Sequence, residues 1–79
     1  MDDVTTDGER VDYYANGAVK AVGPMRDGQL DGDWRWFRLD GSLMRTGRFD
    51  LGVSVGEWQT FDRTGRLVKT TRFKPRTDA

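Results

Sequence analysis

Large apolar side chains come in short bursts along this chain, with polar residues between them and glycines at fixed intervals. The clearest stretch runs from Asp33 to Phe49. Its two arms, Asp33-Trp34-Arg35-Trp36-Phe37-Arg38 and Leu43-Met44-Arg45-Thr46-Gly47-Arg48-Phe49, lie either side of Asp40-Gly41. Near-alternation flanking an Asp-Gly step predicts a β-hairpin, because both central residues of a type I′ turn need positive φ. Asn16-Gly17 gives the same signal, and Thr64-Gly65 gives a weaker one.

The pattern is periodic. Gly8, Gly32 and Gly56 stand 24 residues apart, and so do Gly17, Gly41 and Gly65. An acid follows the first glycine each time (Glu9, Asp33, Glu57), and an aromatic recurs at Tyr13, Phe37 and Phe61. One structural unit is written three times, as in repeat architectures. The expected fold is all-β: an antiparallel meander of three repeated hairpins, six strands in all, forming a single-layer sheet curled into a trough. Strands are predicted near 9–15 and 18–25, 33–39 and 42–49, 57–63 and 66–73. One domain, 8–74, comprises repeats 8–31, 32–55 and 56–74, between a flexible arm at 1–7 and a tail at 75–79. The linkers at 27–31 and 51–55 are expected to be turn-rich, and Pro75 to end the last strand.

A two-residue turn at Asp40-Gly41 would set the register. Phe37 then faces Met44, Arg38 faces Leu43, Trp36 faces Arg45, Trp34 faces Gly47 and Asp33 faces Arg48. In the third copy Phe61 faces Val68, Trp58 faces Thr71 and Glu57 faces Arg72. Opposite charges then pair across strands, and Trp34 covers the bare backbone of Gly47. Alternation gathers Trp34, Trp36, Trp58, Leu43, Leu67, Met25, Phe49 and Phe73 on one face, with Arg38 and Arg45 interleaved. Phe37, Phe61, Met44, Val68, Tyr13 and Val22 fall on the other.

Composition narrows the chemistry. The 79 residues carry 13 basic and 13 acidic side chains, so the net charge is zero and gives no reason to expect nucleic-acid binding. Without cysteine or histidine, thiolate and imidazole metal sites and histidine acid–base catalysis are excluded. One acid per repeat is too few for a calcium site, and pairing to arginine explains it better. No nucleophile–base pair stands at a motif spacing, so no enzyme, metal or cofactor is expected. No apolar run is long enough for a membrane span and none resembles a signal peptide, so a cytoplasmic protein is expected.

The run Gly32-Asp33-Trp34, Phe37, Asp40-Gly41, Leu43, Gly47-Arg48-Phe49, Gly52, Gly56-Glu57-Trp58, Phe61 and Gly65 resembles the MORN-repeat variant of bacterial YwqK-type antitoxin-family proteins. The resemblance covers roughly residues 8–73. It implies an elongated sheet of successive hairpins with aromatics along one groove, and a role in protein–protein interaction, or in some relatives lipid contact. Arg10 departs from the pattern at the position of Trp34 and Trp58, and Asp12 and Thr60 stand at that of Trp36. The Tyr-x-Gly-x-Trp opening of eukaryotic repeats is absent.

The candidate binding residues are Trp34, Trp36, Trp58, Arg38, Arg45, Phe49 and Phe73. They form either a groove for an apolar or extended peptide, or the packing of a thin sheet. Arg38 and Arg45 would offer cation–π shelves or cover the indoles with their stems. The leading expectation is an interaction module with a protein partner, of antitoxin or immunity type. The alternatives are self-assembly as a homodimer, by edge strands or stacked faces, and glycan or lipid-headgroup binding.

Overall fold

In the computed structural model, which describes residues 8–74, strand follows strand with no helix between. These are β1 (Glu9–Tyr13), β2 (Val19–Arg26), β3 (Gln29–Leu30), β4 (Gly32–Phe37), β5 (Leu43–Asp50), β6 (Val53–Phe61) and β7 (Leu67–Phe73). The arm at 1–7, the tail at 75–79 and Pro75 lie outside the described residues. The sheet is antiparallel and open, in the order β1-β2-β4-β5-β6-β7, with β3 pairing to β2. Its extents of 37 × 36 × 13 Å leave room for one layer, since two stacked sheets already sit about 10 Å apart backbone to backbone.

The all-β meander holds, with one strand more than expected. The supposed linkers are themselves paired: 27–31 contains β3, and most of 51–55 belongs to β6. The reason is turn chemistry. Asp27 and Gly28 both have positive φ (51° and 77°) and are flanked by the pair Arg26↔Gln29. Leu51 and Gly52 do the same (46° and 85°) between Asp50 and Val53. These are the two-residue turns with both central residues left-handed, the type I′ geometry.

The three hairpin tips take another form. The Arg38 N–H donates to the Ser42 carbonyl (2.8 Å), the Gly41 N–H donates to the Arg38 carbonyl (2.8 Å), and only Gly41 is left-handed (φ 92°). That is a three-residue loop, a type I turn closed by glycine. The tips at Gly17 and Gly65 have the same two bonds. Thr64 therefore needs no positive φ, so a β-branched residue costs nothing there. Side chains support each tip: Asn16 accepts the Ala18 N–H, Asp40 the Ser42 N–H, and Asp62 those of Thr64 and Arg66.

The longer loop shifts the register near each tip. Trp36↔Arg45, Trp34↔Gly47 and Asp33↔Arg48 stand as expected, but Phe37 faces Leu43, leaving Met44 as the extra bulge residue. Likewise Phe61 faces Leu67 rather than Val68, while Trp58↔Thr71 and Glu57↔Arg72 hold. Leu43 and Leu67 thus leave the tryptophan face and join that of Phe37 and Phe61. Asp33–Arg48 and Glu57–Arg72 are ion pairs at 3.0 and 3.1 Å, both exposed and each worth at most about 1 kcal/mol. Glu9 instead faces Pro24, and Arg10 pairs with Asp12 at 3.0 Å.

Candidate functional site

Alternation along β4, with positive φ at Gly32 and Gly56, accompanies five rings gathered on one face. Trp34 lies 6.1 Å from Trp36 and 6.4 Å from Phe49. Trp36 stacks on Trp58 at 5.2 Å, and Phe49 meets Trp58 edge-on at 5.1 Å. Phe73 closes the row, 5.8 Å from Trp58. Such contacts contribute about 0.5–1.5 kcal/mol each beyond the area they bury. In a sheet with little else buried, this row is the main source of cohesion.

Its members are not equivalent. Trp34 is 2% exposed, and with Ala21 and Val55 it makes up the buried apolar set among the described residues. Its indole N–H donates to the Pro24 carbonyl at 2.9 Å. Although Trp34 faces Gly47 in the β4–β5 ladder, its ring packs over Gly23 on its other neighbour, β2: a Cβ on Gly23 would overlap the Trp34 ring. Trp58 repeats the arrangement over Gly47. Each indole thus fills a notch left by the glycine of the preceding hairpin. The Trp58 indole nitrogen is buried without a hydrogen-bond partner.

Trp36 fills no such notch. It is half-buried and borders a groove of about 420 Å³ over the first hairpin. Ala21, Met25, Leu30 and Trp34 line the apolar part of this groove, and Arg10, Asp12 and Gln29 supply polar walls. Arg10 and Asp12, which line it, stand where the second copy has Trp34 and Trp36. Phe73 is 41% exposed at the far end of the row.

The two arginines separate. Arg45, exposed, stands opposite Trp36 on the same face. Arg38 is no shelf for an indole: its guanidinium donates to the Ser42 Oγ (3.3 Å), the Leu43 carbonyl (3.2 Å) and the Phe61 carbonyl. It ties the second tip to the end of β6. Twenty-four residues earlier, the Tyr14 hydroxyl donates to the Phe37 carbonyl at 2.8 Å. The cation–π contact belongs to Lys20, 5.7 Å above the Tyr14 ring.

The opposite face holds a second concavity, about 510 Å³, lined by Val11, Tyr13, Val19, Val22 and Phe37. Pairing of the first hairpin assembles it, with Val11 facing Val22 and Tyr13 facing Val19. The alternation of β1 and β2 carried that signal, once paired at the correct loop length.

The titrating groups that stand out belong to the tips. The Ser42 backbone N–H, then its hydroxyl, holds the Asp40 carboxyl below its usual 3.8. The Thr64 hydroxyl, then the Arg66 N–H, does the same for Asp62. Both carboxylates are loop supports, Asp40 exposed and Asp62 half-buried. Among the described residues no group of three acids could hold a metal ion, and no helix is long and apolar enough to cross a membrane. No family model, curated protein or solved structure matches the chain.

Proposed function

We propose that this chain is a small non-catalytic binding module that holds an extended segment of a protein partner in the groove beside Trp36. One observation carries the reading. Trp34 and Trp58 fill glycine notches, whereas Trp36 fills none and its position is occupied by Asp12 and Thr60 in the other copies without loss of strand pairing. Trp36 packs on Trp34, Phe49 and Trp58, yet it stands where the fold also accommodates a small polar side chain and it leaves part of its ring to the groove. The groove floor of Ala21, Met25 and Leu30 suits apolar side chains of an extended peptide. Arg10, Asp12 and Gln29 suit its backbone and polar neighbours. The resemblance to antitoxin-family repeats adds one class of partner, a toxin held by this contact.

The test is a peptide-display selection on the wild-type chain alone, the selected peptides then being measured against the wild type and Trp36→Ala. Peptides that bind the wild type and lose at least tenfold in affinity for Trp36→Ala support the proposal. Peptides indifferent to Trp36 overturn it.

A further inference from the structure

The ends of the sheet differ from its interior in a way that points to a partner. The open edges are β1 and β7, and β7 is exposed along its length except at Thr71. Within the chain, each hairpin joins the next by one rule. Ala21 faces Trp36 and Val22 faces Arg35; 24 residues on, Arg45 faces Thr60 and Thr46 faces Gln59. Applied once more, the rule sets Lys69 opposite the equivalent of Trp36 and Thr60, and Thr70 opposite the equivalent of Arg35 and Gln59. Those equivalents are Asp12 and Val11 on β1. A second copy placed there would put Asp12, which accepts the Arg10 Nε–H at 3.0 Å within its own chain, directly across from Lys69, an opposite-charge pair.

Two further features agree. The internal junctions set an indole over a glycine, Trp34 on Gly23 and Trp58 on Gly47. At the chain-to-chain junction, Thr71 stands at the glycine position and Arg10 at the tryptophan position. The notch and the ring it accommodates disappear together, so a flexible arginine stem meets a threonine without overlap. Charge is also segregated. Residues 1–33 hold eight acids and three bases, whereas residues 34–79 hold five acids and ten bases. No acid occurs from Arg63 to Lys74, a span that includes β7. Pairing β7 with another β7 would crowd Lys69 and Arg72 against their copies, and pairing it with β1 does not.

We infer that the chain associates head to tail, β7 of one copy adding to β1 of the next in the internal register. Such a contact is heterologous and does not close, so it extends the sheet from molecule to molecule. It is weaker than the internal junctions. Tyr14 and Arg38 each donate to a carbonyl of the following hairpin, and Asp62, at the equivalent position, is an acceptor already held by Thr64 and Arg66. Association is therefore set by concentration and weakened by salt.

Sedimentation of the full chain over a concentration series tests this, with Lys69→Glu, Asp12→Lys and their equimolar mixture alongside. The expected mean mass rises from 9.0 kDa past that of a dimer and falls as salt is added. Each variant alone stays at 9.0 kDa, while the mixture grows again because both junctions regain opposite charges. Trp36→Ala grows like the wild type, which separates this contact from peptide capture at the Trp36 ring, although Arg10 and Asp12 wall the groove as well. Circular dichroism matching the wild type establishes that each variant is folded, and the double variant, with the charges exchanged, should assemble by itself. A wild-type mass fixed at 9.0 kDa, or a plateau at twice that value, overturns the inference. So does growth of the single variants, or a mixture that stays monomeric.

Discussion

Replacing Gly47 by alanine adds one methyl group, and the structure assigns it a place already occupied. The new Cβ would overlap Cδ2, Cε2 and Cε3 of Trp58. Gly47 has no positive φ to preserve, so on propensity alone alanine in mid-strand should gain about 0.5–1 kcal/mol. The overlap opposes that gain. The Trp58 ring cannot slide freely, because it meets Trp36 at 5.2 Å, Phe49 at 5.1 Å and Phe73 at 5.8 Å. Overpacking typically costs about 1–3 kcal/mol, and disturbing three ring contacts adds about 0.5–1.5 kcal/mol for each that is lost. Destabilisation wins, by roughly 1–3 kcal/mol, which in a domain this size lowers Tm by about 5–20 °C. The assay is thermal and urea unfolding of wild type, Gly47→Ala, Trp58→Leu and the double variant. The overlap is between these two residues, so Gly47→Ala should cost far less once Trp58 is leucine. Additive costs, or a Gly47→Ala protein as stable as the wild type, would refute the notch.

Three other outcomes follow from the loops and ties. Arg38→Met should cost about 1.5–3 kcal/mol by urea unfolding, the range for hydrogen bonds to a charged group, whereas Arg38→Tyr, copying Tyr14, should recover part of it. Leu51→Asn should raise Tm by a few degrees, because asparagine tolerates the left-handed φ of 46° better than leucine does. Acid should loosen the third tip. The Asp62 pKa is lower folded than the unfolded 3.8, so its stabilisation is present above about pH 4 and is lost as pH falls through the folded value. Stability measured by urea unfolding from pH 6 to 2 should therefore fall less steeply below pH 4 in Asp62→Asn than in the wild type.

Strand positions were legible because alternation and glycine spacing are local signals, and they placed Trp34, Trp36, Phe49, Trp58 and Phe73 on one face. The turn types were exchanged. Asp40-Gly41 and Asn16-Gly17 suit a two-residue turn by residue type, but a single left-handed glycine also closes a three-residue loop, and sequence does not separate the two. Leu51 is a poor candidate for positive φ and concealed the second type I′ turn. Trp34 was matched to the glycine facing it in its own hairpin. Its ring lies on Gly23, which emerges only once three adjacent strands are in register. Arg38, read as a companion of the rings, is held by carbonyls that only the chain path brings near.

The central claim, that Trp36 adds binding to its packing role while Trp34 and Trp58 fill the glycine notches of the fold, is open to direct observation. Three tryptophans give three indole N–H signals in a ¹⁵N–¹H spectrum. On titration with a peptide selected against the wild-type chain, the Trp36 signal and the amides of Ala21, Met25 and Leu30, which line the groove, should shift, and the amides of Val11 and Tyr13 on the opposite face should stay put. Shifts gathered instead on Val11, Tyr13 and Phe37 of the opposite face, with Trp36 unmoved, would contradict the account.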